Sequence, residues 1–136
     1  MHELKTDHVA NVKCLLRMAK FLIDSEERDT ASGFQCRRML LEALDIMCTK
    51  FAEFNGYSVE IHERTLYWKV DFLSDKTPQY KPLVLLYNAS HPDIDWGRVM
   101  LNNGLTYRAF ELFDIYYDWV SDLVPYLEEV CDSCCR

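Results

Sequence analysis

The chain has 136 residues, of which 49% are hydrophobic and 27% charged, and its formal net charge is −7. This length and composition are typical of one globular domain over residues 1–136, and they exclude a disordered or low-complexity chain. The longest apolar run, residues 83–87, is far shorter than the roughly 20 residues of a membrane-spanning helix. The acidic balance disfavours direct binding to nucleic acid, because phosphate backbones attract cationic surfaces.

The sequence up to Gly56 predicts two amphipathic helices. From about Asp7 to Ile23, apolar residues recur every three or four positions, which is typical of a helix with one buried face. A charged stretch then interrupts this pattern. The second helix is predicted to begin at Ser32, which forms a capping-box pattern with Gln35. It ends at the Asn-Gly pair before residue 57, because glycine accepts the left-handed conformation of a helix C-terminus.

The hydrophobic period then changes from 3.6 to 2, which predicts β-strands. Apolar residues alternate with polar ones from Tyr57 to Ile61 and again from Leu66 to Phe72. Glu63 and Arg64 lie between these runs, so the two strands are predicted to form a hairpin with one solvated face. A third strand is predicted over residues 83–87, where both faces are apolar.

Helical patterns return in the last third of the chain. A short helix is predicted over about Trp96 to Leu101, and a long one over about Leu105 to Val130. Pro125 lies inside the long helix and should kink or divide it. Together these elements predict an α+β fold in two layers, with two N-terminal helices, a three-stranded antiparallel meander and a long C-terminal helix.

The negative charge is concentrated near the C-terminus. From Leu105 to Arg136 there are seven acidic residues and two basic ones, so this segment alone carries −5. Like charges four residues apart share one helix face and weaken the helix by a few tenths of a kcal/mol. This pattern indicates a surface that binds a basic partner protein, although a solvated face that keeps the protein in solution has the same pattern. The predicted partner-binding residues are Glu111, Asp114, Tyr116, Asp118, Trp119 and Asp122.

The long helix also contains more aromatic residues than one face can bury. Tyr116 and Trp119 are the aromatic residues expected at the surface, where they would contact a partner or a second copy of the chain. A homodimer is therefore one of the predicted assemblies.

A second candidate site is the segment 90–98, which collects several reactive side chains in a loop. Asp93 could orient His91 as a general base, and Arg98 could hold an anionic group. The competing interpretation is structural, with a turn at Pro92, a helix cap at Asp95 and Trp96 packed into the core. The predicted ligand residues are His91, Asp93, Asp95 and Arg98.

A third candidate is the cysteine cluster Cys131, Cys134 and Cys135. Its C-x-x-C spacing can bind zinc, with Cys36 or a histidine as a further ligand, but the second spaced pair of a typical zinc site is missing. The alternative is a frayed tail with exposed thiols. Cys14 and Cys48 fall among apolar residues at helical spacing, which predicts reduced, buried thiols and a cytoplasmic location.

The sequence contains no P-loop, G-x-G-x-x-G, H-E-x-x-H, G-x-S-x-G or EF-hand pattern. It therefore favours a non-enzymatic, acidic interaction protein that binds, and in one version inhibits, a macromolecular partner through its C-terminal helix. Inhibitors, immunity proteins and viral or phage antagonists share this size and charge, which is an analogy only. The alternative is a small-ligand or zinc-binding protein, with or without enzymatic activity.

Overall fold

A computed structural model describes residues 7–56, 65–76 and 93–134. Within these ranges the chain is helical and contains no β-strand, so the predicted α+β fold with a three-stranded meander is wrong. No helix in these ranges is long and apolar enough to cross a membrane. The helices are α1 (His8–Asp24), α2 (Thr30–Phe54), α3 (Leu66–Lys76), α4 (Asp93–Asn102), α5 (Thr106–Asp122) and α6 (Val124–Cys134).

The main correction concerns the predicted strand from Leu66 to Phe72, which is helix α3. The alternation assigned Lys69 to a solvated face, yet Lys69 is 1% exposed and lies one helical turn from the fully buried Leu73. A lysine at an inward position hid the helical period, because hydrophobic periodicity assumes that charged residues face water. The other two predicted strands, 57–61 and 83–87, lie outside the described residues.

Helix α2 is the centre of the structure, because each of the other five helices packs against it. Its N-terminus is capped by the Asp29 carboxylate, which accepts a hydrogen bond from the Ser32 amide at 2.7 Å. The predicted capping residue, Ser32, is therefore three residues too late. Its C-terminus is confirmed, since Gly56 follows Asn55 with a φ of 97°.

Helix α1, predicted over Asp7 to Ile23, is confirmed as His8–Asp24 with Asp7 as its N-terminal cap. Its inward residues repeat every three or four positions and pack into the core beside α2. They are Val12, Leu16, Ala19 and Ile23.

The predicted long C-terminal helix is divided, as expected from its proline. Helix α5 ends at Asp122, and α6 begins at Val124 with Pro125 in its first turn, where a missing amide hydrogen is tolerated. Helix α4 contains the predicted short helix and packs on both α2 and α5. The bundle thus places α1 against α2 on one side and against α5 and α6 on the other.

A candidate docking groove between α1 and α2

Helix α1 has a second apolar stripe, on the side opposite its buried residues. Cys14, Met18 and Phe21 are spaced by four and three residues, which places them on one helix face. All three are exposed, Met18 at 45% and Phe21 at 75%. The helix is therefore apolar on two faces, of which one is covered by the bundle and the other is not.

This outer stripe forms one wall of an open groove of about 480 Å³. Met39, which is 8% exposed, and Gln35 contribute from α2. We call this feature the α1–α2 groove, and it is lined by Cys14, Arg17, Met18, Phe21, Leu22, Gln35 and Met39.

The groove is rich in soft, adaptable side chains. The Cys14 thiol lies 4.0 Å from the Met18 sulfur, and Met39 lies across the groove on α2. Methionine is unbranched and polarizable, so it adjusts its shape to different apolar partners. Burying a fully exposed phenylalanine or methionine side chain stabilises a structure by roughly 1.5–3 kcal/mol. A partner that buries Phe21 and Met18 would therefore gain binding free energy from apolar surface that the isolated chain leaves exposed to solvent.

The charges at the groove differ from those on the other flank of α1. There, Lys13 binds Glu128 of α6 at 3.3 Å, and Lys20 binds Asp114 of α5 at 3.4 Å. Arg17 lines the groove and is exposed, and no carboxylate among residues 7–56, 65–76 and 93–134 lies within ion-pair distance of it. The groove therefore carries a local positive charge on a protein whose net charge is −7.

The predicted acidic stripe on the C-terminal helix is only partly available. Glu111, Asp118 and Asp122 are exposed on α5. Asp114 is exposed too, but its carboxylate already binds Lys20 of α1. This aspartate helps to hold α1 in place, so it is a structural residue as well as a surface charge.

Of the two aromatic residues predicted at a partner or dimer surface, Tyr116 is not at the surface. Tyr116 is fully buried and meets Trp119 edge-on, with ring centroids 5.3 Å apart. Trp119 is half-buried. The exposed apolar residue on this part of α5 is Ile115, at 49%, which the sequence pattern did not single out.

Of the four residues predicted to form a ligand site, three lie on α4 in the described part of the chain. His91 lies outside it, and Asp93 and Asp95 lie in the first turn of α4. Arg98 is exposed, and Trp96 is 56% exposed instead of packed in the core. Trp96 points away because the next residue, Gly97, is the one that faces the Phe113 ring.

Two of the three predicted zinc ligands lie on α6. Cys131 is half-buried on α6, Cys134 is the last residue of that helix, and Cys135 lies outside the described residues. Cys36 is buried between α1 and α2, where burial raises the pKa of its thiol to about 12, so the thiolate needed for metal binding is disfavoured. Within the described ranges, no group of three or more histidine, cysteine or acidic side chains could hold a metal ion.

Sequence reasoning missed the α1–α2 groove, although a signal was present. A single buried face on α1 does not explain why Met18 and Phe21 are apolar. Because 3.6 residues make one turn, these two residues lie far around the helix from Val12 and Ala19. A helix with two apolar stripes needs two partners, and α1 has only one of them within the described bundle.

Comparison of the chain with models of protein families found no match, and comparisons with curated proteins and with solved structures found none either. No relative therefore indicates a ligand or an activity for this fold.

Proposed function

We propose that this protein is a non-enzymatic binding domain that takes an apolar helical segment of a partner protein into the α1–α2 groove. The observation that carries the proposal is that Phe21 and Met18 are 75% and 45% exposed and line a groove that is also lined by Met39 of α2. Large exposed apolar surfaces on otherwise well-packed domains are typical of interaction sites.

The shape of the groove favours a helix over a small molecule. Small-molecule sites enclose most of the ligand surface, whereas the most prominent lining residue here, Phe21, is largely open to solvent. The stripe from Cys14 to Phe21 spans about 10 Å along α1, or two helical turns. That length matches an amphipathic helix that presents apolar side chains at positions i, i+3 or i+4, and i+7.

The groove is also rigidly supported. The inner face of α1 is anchored in the core by Val12 and Ala19, both fully buried, and its flank is held by ion pairs to α5 and α6. The outer stripe can therefore meet a partner without rearrangement of the bundle, which lowers the entropic penalty of binding.

The test is affinity capture from the native host with three matched proteins. They are the wild type, a groove variant with Met18→Ser and Phe21→Ser, and a control variant with Ile115→Ser and Tyr107→Ser. The control removes two exposed apolar side chains from α5 and leaves the groove intact. We expect a partner that is captured by the wild type and the control but lost with the groove variant. A partner set that the groove variant retains in full would contradict the proposal.

A second candidate function is binding of a basic partner by the outer face of α5. It is supported by Glu111, Asp118 and Asp122, which are exposed, and no ion pair joins them to a basic residue in the described part of the chain. Glu111→Lys with Asp118→Lys should slow association with such a partner and flatten its salt dependence. Asp114 is left unchanged because its substitution would also release Lys20. Unaltered association kinetics in the double variant would contradict this second function.

A reducing, cytoplasmic location fits either function. Cys36 and Cys48 are buried as free thiols, and Cys14 is a free thiol at the edge of the groove. Exposed free thiols persist in reducing compartments and tend to oxidise outside them. Fractionation of native host cells, with thiol labelling of Cys14, tests this location.

A further inference from the structure

The proposal that follows rests on the proposed function and names the chemistry of the partner. We propose that the helical segment bound in the α1–α2 groove carries acidic residues beside its apolar stripe, and that Arg17 on α1 and Arg38 on α2 each bind one of their carboxylates.

The distribution of ion pairs supports a carboxylate from outside the chain. Four lysines in the described ranges each lie within ion-pair distance of a carboxylate of this chain; they are Lys13, Lys20, Lys50 and Lys69. Arg17 and Arg38 are exposed, and neither reaches an acidic side chain of the described residues within that distance. Glu42 lies one turn along α2 from Arg38, but it is outside ion-pair range. Within the described ranges, no acidic side chain of this chain therefore competes with a partner's carboxylate for these two arginines.

Arg17 lines the groove, and Arg38 is a neighbour of two of its lining residues on α2. Arg17 shares the outer face of α1 with Cys14 and Phe21, three and four residues away. On α2, Arg38 precedes Met39 and lies one turn from Gln35. An arginine packs its aliphatic stem against apolar surface and presents a planar fork that binds a carboxylate through two parallel hydrogen bonds. An acidic residue next to the apolar stripe of the partner would meet this fork.

Charge argues against a second copy of this chain as the occupant. A two-fold pairing of α1 with α1 would bring like arginines at position 17 together around Met18. This repulsion opposes a symmetric dimer through the groove, whereas an acidic amphipathic helix would pair with the arginines and cover Phe21 at the same time.

The test uses a display library of helical peptides about 18 residues long, because shorter isolated helices are marginally stable in water. The library is selected on the wild-type protein and counter-selected on the Phe21→Ser variant, which should fold normally because this side chain is mostly exposed. We expect the selected peptides to carry apolar residues at i, i+3 or i+4, and i+7, with Asp or Glu next to that stripe.

Arg17→Gln with Arg38→Gln should weaken their binding about 10-fold or more and reduce its salt dependence. Arg108→Gln, which removes an exposed arginine on α5, is the matched control and should leave binding unchanged.

The outcomes separate the two proposals. Groove-dependent peptides without an acidic preference, or equal affinity for the double-arginine variant, would overturn the carboxylate inference and leave the proposed function standing. If no peptide depends on Phe21, both proposals fail. A micromolar dimer in sedimentation that dissociates on Phe21→Ser would show that a second copy fills the groove, and this too would overturn the inference.

Discussion

The two exposed flanks of α1 are built differently. On the flank beside α5 and α6, Lys13 and Lys20 lie 3.3 and 3.4 Å from carboxylates of the neighbouring helices. On the flank beside the outer edge of α2, Arg17 reaches no carboxylate of the described chain, and Phe21 is 75% exposed. The lysines of the first flank are paired with neighbouring helices, whereas Arg17 on the second flank has no acidic partner among the described residues and lies beside exposed apolar surface. In our proposal, the first flank contributes to stability and the second binds the partner.

The comparison is sharpest for two phenylalanines in opposite environments. Phe110 is 1% exposed and lies under the Arg28 guanidinium, 5.4 Å from the ring centroid, whereas Phe21 is open to solvent. We expect Phe110→Ala to lower the free energy of unfolding by about 3–5 kcal/mol, because it leaves a cavity in the core. Phe21→Ala should change it by less than about 0.5 kcal/mol. Urea unfolding measures both, and a large loss on Phe21→Ala would mean that the outer stripe of α1 belongs to the core.

A second prediction contrasts two cations that lie on α3 and α1. The Lys69 ammonium is buried and donates to Asp45 at 2.7 Å and Thr49 at 2.9 Å, both on α2. Lys69→Ala should lower the free energy of unfolding by about 3 kcal/mol, at the lower end for a broken buried ion pair, because Asp45 is half-exposed and can be hydrated. Lys69→Met keeps most of the packing and should lose less, while Arg17→Ala should be close to neutral. Equal losses for the Lys69→Ala and Arg17→Ala variants would mean that the buried Lys69–Asp45 pair contributes no more to stability than the exposed arginine.

A third prediction concerns the close packing of α4 against α5. A Cβ atom on Gly97 would lie 2.5 Å from Cε1 of Phe113, so α4 can approach α5 this closely only with glycine at this position. Gly97→Ala should therefore lower the free energy of unfolding by about 1–3 kcal/mol through overpacking. Thermal unfolding followed by circular dichroism measures the effect. A neutral result would indicate that the Phe113 ring moves aside without loss.

The smallest predicted effect is a pH dependence at the start of α2. Hydrogen bonds from Ser32 to the carboxylate lower the pKa of Asp29 below its ordinary value of 3.8. A group whose pKa is lower in the folded state stabilises that state above its unfolded pKa. The stabilisation disappears as the pH falls from about 3.8 through the folded value.

Asp29→Asn keeps a capping acceptor that does not titrate, so the variant should lose this part of the acid sensitivity in unfolding curves between pH 5 and pH 2. An identical pH profile for both proteins would assign the sensitivity to other carboxylates.

Much of the helical framework was predictable, because its signals are local. Helical spacing predicts the extent of α1, and the left-handed glycine of the Asn55-Gly56 pair predicts the end of α2. The missing amide hydrogen of Pro125 predicts the break between α5 and α6. The start of α2 was missed because Asp29 and Ser32 both favour helix N-termini, and only the backbone geometry selects between them.

The α3 region and the buried Tyr116 show why the rest was not predictable. Lys69 faces inward because Asp45 and Thr49 of α2 meet its ammonium, a compensation that lies 20 or more residues away in the chain. Tyr116 is buried because α5 is surrounded on several sides, while its exposed neighbour Ile115 is not covered. An aromatic count on one helix cannot show how many neighbours that helix has.

The sequence by itself determined which segments near both ends of the chain are helical, and that negative charge is concentrated after Leu105. The tertiary structure decided which polar residues are satisfied and which apolar residues remain uncovered. It paired Asp114 with Lys20, so that part of the acidic stripe became a link between helices, and it left Phe21 and Arg17 open at the α1–α2 groove. The physical reason is that helix formation depends on neighbours a few positions apart, whereas burial and charge pairing depend on which helices meet in space.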